Sequence, residues 1–331
     1  MEYVVDDDDE DEIDYDPDEA PVDQIRLTTV GIDIGSATAH FLLSRITLRR
    51  LGQALMSRFE MVAKEELYRS GITFTPYRSA VEIDADALAA FFDDHFERSG
   101  VGHDEIDTGI VMLTGEAARK SNARAIATLF AGSMGKFVCT SAGHHLEARM
   151  AANGSGAVAQ SREQSSDLVN VDVGGGTTKF TLIRSGEIVA TAALNVGGRL
   201  VAIEDGAVVR IDEAARRVAH DAGIQLELGR PLPDADRQRL CATLADCVVE
   251  YLTKAAADFS DLTTGLLLTE PPQGLIDVTD VIMSGGVAEY LGEPGADAAD
   301  LGPTLAAELV SRMTVAGRTV RPAGERMRAT V

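Results

Sequence analysis

Asp172 ends an apolar run and is followed by Gly174-Gly175-Gly176-Thr177-Thr178-Lys179, after which a second apolar run begins at Phe180. Apolar segments flanking a glycine break predict a β-hairpin. Consecutive glycines permit positive φ and leave backbone N–H groups unshielded by any Cβ. Successive N–H groups in such a turn form an anion-binding concavity, and the two threonine hydroxyls add donors. A carboxylate at the strand end can hold a divalent cation through oxygen or water. The chemistry on offer is binding of phosphate together with a metal. Asp33 stands in the same grammar, followed by Gly35-Ser36-Ala37-Thr38 and an apolar strand at His40–Leu43, about 140 positions earlier. A third glycine turn, Ser284-Gly285-Gly286-Val287, follows about 110 positions after the second.

These turns need strands to carry them. Leu27–Ile34 reads as the first buried strand and Val169–Val173 as the strand that delivers Asp172; Val278–Met283 delivers the third turn. Between the first hairpin and residue 80 lies a basic, polar insertion at 44–80. There Ile46–Leu48 could add a strand, while Leu55, Phe59, Val62, Ala63 and Leu67 give Gln53–Tyr68 a near-helical period. Asp84 is placed to N-cap a helix with Leu88, Phe91, Phe92 and Phe96 on one face and Gly100 beyond its end. A strand at Thr108–Leu113, a helix to about Ala131, a strand at Lys136–Thr140 and a helix at Ser141–Asn153 alternate as in a parallel α/β sheet. Strands Phe180–Arg184 and Ile188–Leu194 come next, then a hairpin, Val201–Ile211, closed by Asp205-Gly206. Helices follow at Glu213–Gly223, Asp234–Phe259 and Leu301–Met313, with a short strand expected at Leu266–Leu268.

The chain has 331 residues, enough for two lobes, and a formal net charge of −23. Thirteen acidic residues and no Lys or Arg fall within residues 1–23, so residues 1–25 read as a disordered acidic tail. This acidity speaks against nucleic-acid binding, which needs a basic surface to displace counterions. No apolar run is long enough to span a bilayer, and no secretory signal is visible, so a cytoplasmic location is expected. Cys139, Cys241 and Cys247 fit neither a metal-ligand spacing nor a disulfide framework.

Two Asp-Gly-hydroxyl hairpins followed by a late Ser-Gly-Gly turn resemble the actin-like ATPase superfamily, which includes sugar kinases, 70-kDa heat-shock chaperones and exopolyphosphatases. The resemblance implies an α/β, ribonuclease H-like fold whose two lobes enclose a nucleotide cleft in mixed sheets. It implies a first lobe over 26–150, a second over 151–300 and a C-terminal segment over 301–331. Gly35, Ser36, Ala37 and Thr38 would then meet ATP phosphates from one lobe, and Gly174, Gly175, Gly176, Thr177 and Thr178 from the other. Asp33 and Asp172 would hold Mg²⁺ between them, and Ser284, Gly285, Gly286 and Val287 would leave space for adenosine. Glu147 matches the crossover-helix glutamate that orients water in hydrolysing members; a solvated carboxylate beside Arg149 is the alternative. Lys179 either reaches the nucleotide or lies on the outer strand face.

A narrower resemblance rests on Leu113-Thr-Gly-Glu-Ala-Ala-Arg-Lys-Ser-Asn-Ala123, Ala142-Gly-His-His-Leu-Glu-Ala-Arg149, Asn170–Lys179 and Val281–Tyr290. Together they look like the ethanolamine utilization protein EutA family. That likeness implies an ATP- and Mg²⁺-driven, chaperone-like reactivating factor for the adenosylcobalamin enzyme ethanolamine ammonia-lyase. Such a factor frees damaged cobalamin so that intact cofactor can enter, and an ethanolamine microcompartment is its expected setting. It leaves a homo-oligomer open, and it implies a weak ATPase. The family carries more chain after the third glycine turn, whereas about 40 residues follow Glu289 here, and 326–331 reads like the start of a strand. A fragment, an early-terminated variant and a lineage without the terminal domain are all compatible with that. A small-molecule kinase of the same fold would need a substrate-binding aspartate and sugar contacts not found in Ser44–Arg78. An actin-like scaffold would need self-association surfaces.

Overall fold

The computed structural model describes residues 24–35, 38–50, 59–71, 73–79, 82–114, 117, 121–122, 126, 137–291 and 300–323. Two mixed sheets with the same internal plan organise them. In the first, β1 (Gln24–Ile34) pairs antiparallel with β2 (Thr38–Arg50), which pairs antiparallel with β3 (Phe59–Arg69); β1 also pairs parallel with β7 (Thr108–Thr114), and β7 with β8 (Phe137–Ala142). In the second, β9 (Asp167–Val173), β10 (Thr178–Arg184) and β11 (Glu187–Leu194) repeat the antiparallel trio, and β14 (Asp280–Ser284) and β15 (Thr319–Pro322) repeat the parallel pair. The orders β3-β2-β1-β7-β8 and β11-β10-β9-β14-β15 correspond position by position, with β4 (Thr73–Phe74) added beside β2 and two small hairpins, β5 (Tyr77–Ser79) with β6 (Glu82–Ile83) and β12 (Val201–Glu204) with β13 (Ala207–Ile211), outside them. The repeated Asp-Gly grammar is therefore one visible trace of a duplicated architecture.

Alternation along each strand decides which face meets the core. Val30, Ile32 and Ile34 of β1 are buried with Phe41 and Leu43 of β2 against α1 (Ala85–Ser99). That helix forms as its sequence predicts: the Asp84 carboxylate accepts from the Ala87 N–H at 3.1 Å, and Gly100 ends it at φ 67°. Phe96 meets Phe41 edge-on, with ring centroids 4.6 Å apart. In the second sheet Val169, Val171, Val173, Phe180 and Leu182 face the larger core with α4 (Glu213–Asp221), α5 (Asp234–Thr253) and α7 (Gly302–Val315). The opposite face is covered by α2 (His144–Gly154) and α3 (Ala157–Gln164).

Some elements differ from expectation. Where a helix is expected over Gln53–Tyr68, β3 runs from Phe59. Two register shifts against β2, at Leu43/Ser44 and Thr47/Leu48, break its strict alternation and leave a spacing that imitates helical period. Gln24 and Ile25, assigned to the tail, already pair with Arg49 and Leu48 in β1. The expected boundary at residue 150 falls inside α2, a helix that packs on β9–β11. Leu266–Leu268 makes only an isolated bridge, Leu194 to Leu267. Among the described residues beyond 301, α7 packs on α5 and β15 pairs with β14 in the second sheet. The acidic tail over 1–23, most of the helix expected before Ala131 and the 326–331 run lie outside the described residues.

Candidate functional site

Both hairpins close in the same way. Gly35 N–H donates to the Thr38 carbonyl and Gly174 N–H to the Thr177 carbonyl, each at 2.9 Å. The second turn therefore has a two-residue tip, 175–176, and residue 179 stands opposite 172 as residue 40 stands opposite 33. The hairpins face each other across one cleft, lined by Asp33, Gly35, Thr38, Glu147, Asp172, Gly174–Thr177 and Lys179. Gly285, Gly286 and Val287 line it from the end of β14. Ser36 and Ala37 lie outside the described residues.

None of the three glycines at 174–176 adopts a positive φ, and the close approach falls on Gly197, where a Cβ would lie 2.4 Å from the Gly175 carbonyl oxygen. The carbonyls of Gly174 and Gly175 are held from behind by the N–H groups of Gly198 (3.0 Å) and Arg199 (2.6 Å). In a trans peptide the carbonyl and the following N–H point opposite ways. Tethering those carbonyls turns the Gly175 and Gly176 N–H groups away from the 198–199 segment. The Gly35 and Gly174 N–H groups, expected to meet phosphate, are instead spent on closing their turns. Gly285 is at φ 88°, and a Cβ there would lie 2.5 Å from the Val173 carbonyl oxygen. The third turn is thus pinned to the end of the strand that carries Asp172, and the Val287 N–H bonds that same carbonyl at 3.1 Å.

Two expected site residues point elsewhere. Thr178 follows Thr177 on a strand, so its side chain takes the other face; it is fully buried and donates to the Val196 carbonyl at 2.8 Å. Ser284 is also fully buried and donates to Asp172 Oδ1 at 2.9 Å instead of facing the cleft.

The acids are concentrated. Glu147, in the first turn of α2, is buried and paired with Lys179, whose Nζ lies 2.6 Å from its Oε2. Glu147 is therefore not a solvated carboxylate beside Arg149, and Lys179 lies on the cleft face. Burial pushes Asp33 up to about 7, aided by the charge of Glu147 and opposed by Lys179 and by a 3.1 Å hydrogen bond from Thr114. Burial also raises Asp172, against the pull of Lys179 and the Ser284 hydroxyl. Burial works to lower Lys179, but the charges of Glu147 and Asp172 outweigh it and raise it. Three carboxylates beside one ammonium leave a formal charge of −2, matched by one divalent cation. Among the described residues no group of three or more His, Cys, Asp or Glu side chains is placed to hold a metal by itself. A cation shared with phosphate oxygens and water, the habit of Mg²⁺, fits this donor set.

Thr114 stood in the Leu113–Ala123 block without a role in the site, and Arg199 had no motif to announce it. Arg199 is half of a largely buried ion pair with Asp300, 2.6 Å from Nε to Oδ2, and its guanidinium lies 5.6 Å from the Phe74 ring centroid of the first sheet. His145 bonds the Thr191 hydroxyl at 2.9 Å. Burial pushes the Cys241 and Cys247 thiols up to about 12 and 11, leaving them inert. No helix among the described residues is long and apolar enough to cross a membrane.

Residues 25–331 match the family described as ethanolamine utilisation protein EutA. The chain is 31% identical over 313 residues to the ethanolamine ammonia-lyase reactivase EutA of Salmonella typhimurium, and to the protein of that name in Escherichia coli. Each alignment covers 92% of this chain and 66% of the relative, so the chain spans just under two thirds of their length. The Aquifex aeolicus PPX-GPPA enzyme superposes with a TM-score of 0.50 at 13% identity, over 91% of this chain and 98% of its own. That likeness speaks for the fold alone, an actin-like ATPase fold, the one expected from the paired hairpins. With the family match running from the first residues of β1 through the third glycine turn and on to β15, the chain belongs to the EutA family of ethanolamine utilisation proteins.

Proposed function

We propose that this chain is an ATP-dependent reactivating factor for ethanolamine ammonia-lyase, which frees damaged cobalamin from the adenosylcobalamin enzyme so that intact cofactor can bind. The observation that carries the reading is the convergence of Asp33, Asp172, Glu147 and Lys179 on one cleft between two glycine turns. The name of the relatives supplies the client. The Gly175 and Gly176 N–H groups at the tip of the turn bind phosphate oxygens, and Gly285–Val287 leave room for adenosine. Asp33 and Asp172 would hold Mg²⁺, which when bound neutralises charge on the triphosphate. Lys179 supplies a further positive charge at the phosphates. Glu147 orients the attacking water and accepts its proton, in the manner of a carboxylate base.

Phosphate release from Mg-ATP, with and without the lyase, tests the reading. Slow release that quickens with lyase is expected, and Glu147→Gln should lower turnover by about 10²–10⁴-fold while ATP still binds. Equal turnover in Glu147→Gln would remove Glu147 from the chemistry, and absence of ATP binding in the unaltered chain would overturn the reading.

A further inference from the structure

On the face of the second sheet turned toward α2 and α3, polar side chains form a continuous buried line. Asn170 and Asp172 share that face of β9 by the two-residue repeat, and Ser284 of β14 is the register partner of Asp172. Ser284 Oγ donates to Asp172 Oδ1 at 2.9 Å and accepts from Asn170 Nδ2 at 3.2 Å. Asn170 Oδ1 in turn accepts from Ser155 Oγ at 3.0 Å. Asn170 and Ser284 are fully buried and Ser155 is 6% exposed. Ser155 caps the end of α2 at the break into α3, where Gly156 turns the chain at φ 81°. The helix that ends there carries Glu147 in its first turn.

A sheet face packed under two helices is ordinarily apolar, as Leu168, Ile183 and Ile282 are on this same face. Three neutral polar residues set in that layer lose their solvation; Asn170 and Ser284 bond each other, Ser155 and Asp172, while Ser155 Oγ also meets the Ala152 carbonyl at 3.3 Å and the Ala157 N–H at 3.4 Å. Their geometry serves the carboxylate: one oxygen of Asp172 is fixed by Ser284, which leaves the other directed by the remaining freedom of a single torsion. We infer that Ser284, Asn170 and Ser155 are positioning residues that set the orientation of Asp172 toward its cation and tie it to the α2–α3 break. The inference rests on the nucleotide reading above. It adds that Asp172 and the helix bearing Glu147 move as one unit.

The test is a Mg²⁺ titration of ATP binding by calorimetry on the full chain, set beside ATP binding in EDTA. Ser284→Ala should raise the half-saturating Mg²⁺ concentration about tenfold, as expected for losing one hydrogen bond to a charged group, and leave metal-free ATP affinity within about twofold. Ser155→Ala, at the far end of the line, should shift the Mg²⁺ requirement the same way by about threefold. Should Ser284→Ala not fold, Ser155→Ala decides alone. Unchanged Mg²⁺ dependence in the folded variants, or equal losses with and without metal, would make these residues core packing only. A wild-type chain that itself shows no Mg²⁺-dependent binding overturns the functional reading, and the inference with it.

Discussion

Asp33 and Asp172 share one sequence grammar but not one environment. Across the hairpin Asp172 meets Lys179, whereas the equivalent partner of Asp33 is His40, whose Nε2 lies 3.1 Å from the Thr38 hydroxyl. Among the described residues Asp33 has only the Thr114 hydroxyl as a direct hydrogen-bond partner, and burial raises its carboxyl to about 7. The folded pKa then exceeds the unfolded one, so the unfolded chain loses its proton first and stability falls as pH climbs between the two values. Asp33→Asn should therefore stabilise the protein by about 1–3 kcal/mol above about pH 7 and by little below about pH 4. Urea melts across that range check it, and a variant less stable than wild type at pH 8 would contradict it. The spacing of Asp, Gly and Thr was legible in the sequence. Lys179 was not, since the spacing left it open between the cleft and the outer strand face; the two-residue tip seen in the structure sets 179 opposite 172. The inward turn of Ser284 depends on the parallel register of β9 and β14, which no local pattern encodes.

At the scale of elements, strands with uninterrupted alternation or full burial could be read, as in β1, β9 and β10. The strand β3 could not, since its bulges destroy the period and its pairing with a thirteen-residue β2 decides the outcome. Short elements depend on side-chain caps. α6 (Asp261–Gly265) begins at Ser260, whose N–H and hydroxyl both bond the Glu250 carboxylate, at 2.9 and 2.7 Å; Thr263 and Lys254 bond it too. Burial would raise that carboxyl, but the hydrogen bonds together hold it down at about 2. Its folded pKa lies below the unfolded one, so the stabilisation is present above about pH 4.5 and fades as pH falls toward 2. Glu250→Gln should cost about 1–3 kcal/mol at neutral pH, with the two melting curves converging in acid. A cost that stays constant down to pH 2.5 would mean that shape, not charge, holds the cap.

The whole molecule is two copies of one sheet plan closed around an acidic cleft. Between the copies, Arg199 of the second reaches Phe74 of the first, and Asp300 holds that arginine in place. The duplication was legible only as two related hairpins, β1–β2 and β9–β10, because the remaining strands carry no repeated motif. In the proposed function the lyase partner is taken from the relatives' name, and the cleft is where ATP would act. The decisive measurement takes ethanolamine ammonia-lyase locked with inactive cobalamin, adds this chain, Mg-ATP and fresh adenosylcobalamin, and follows deamination. Activity should return with ATP, fail to return without it, and fall to the unassisted level with Asp172→Ala. Recovery that is equal with and without ATP, or unaffected by Asp172→Ala, would contradict a reactivation driven through this cleft.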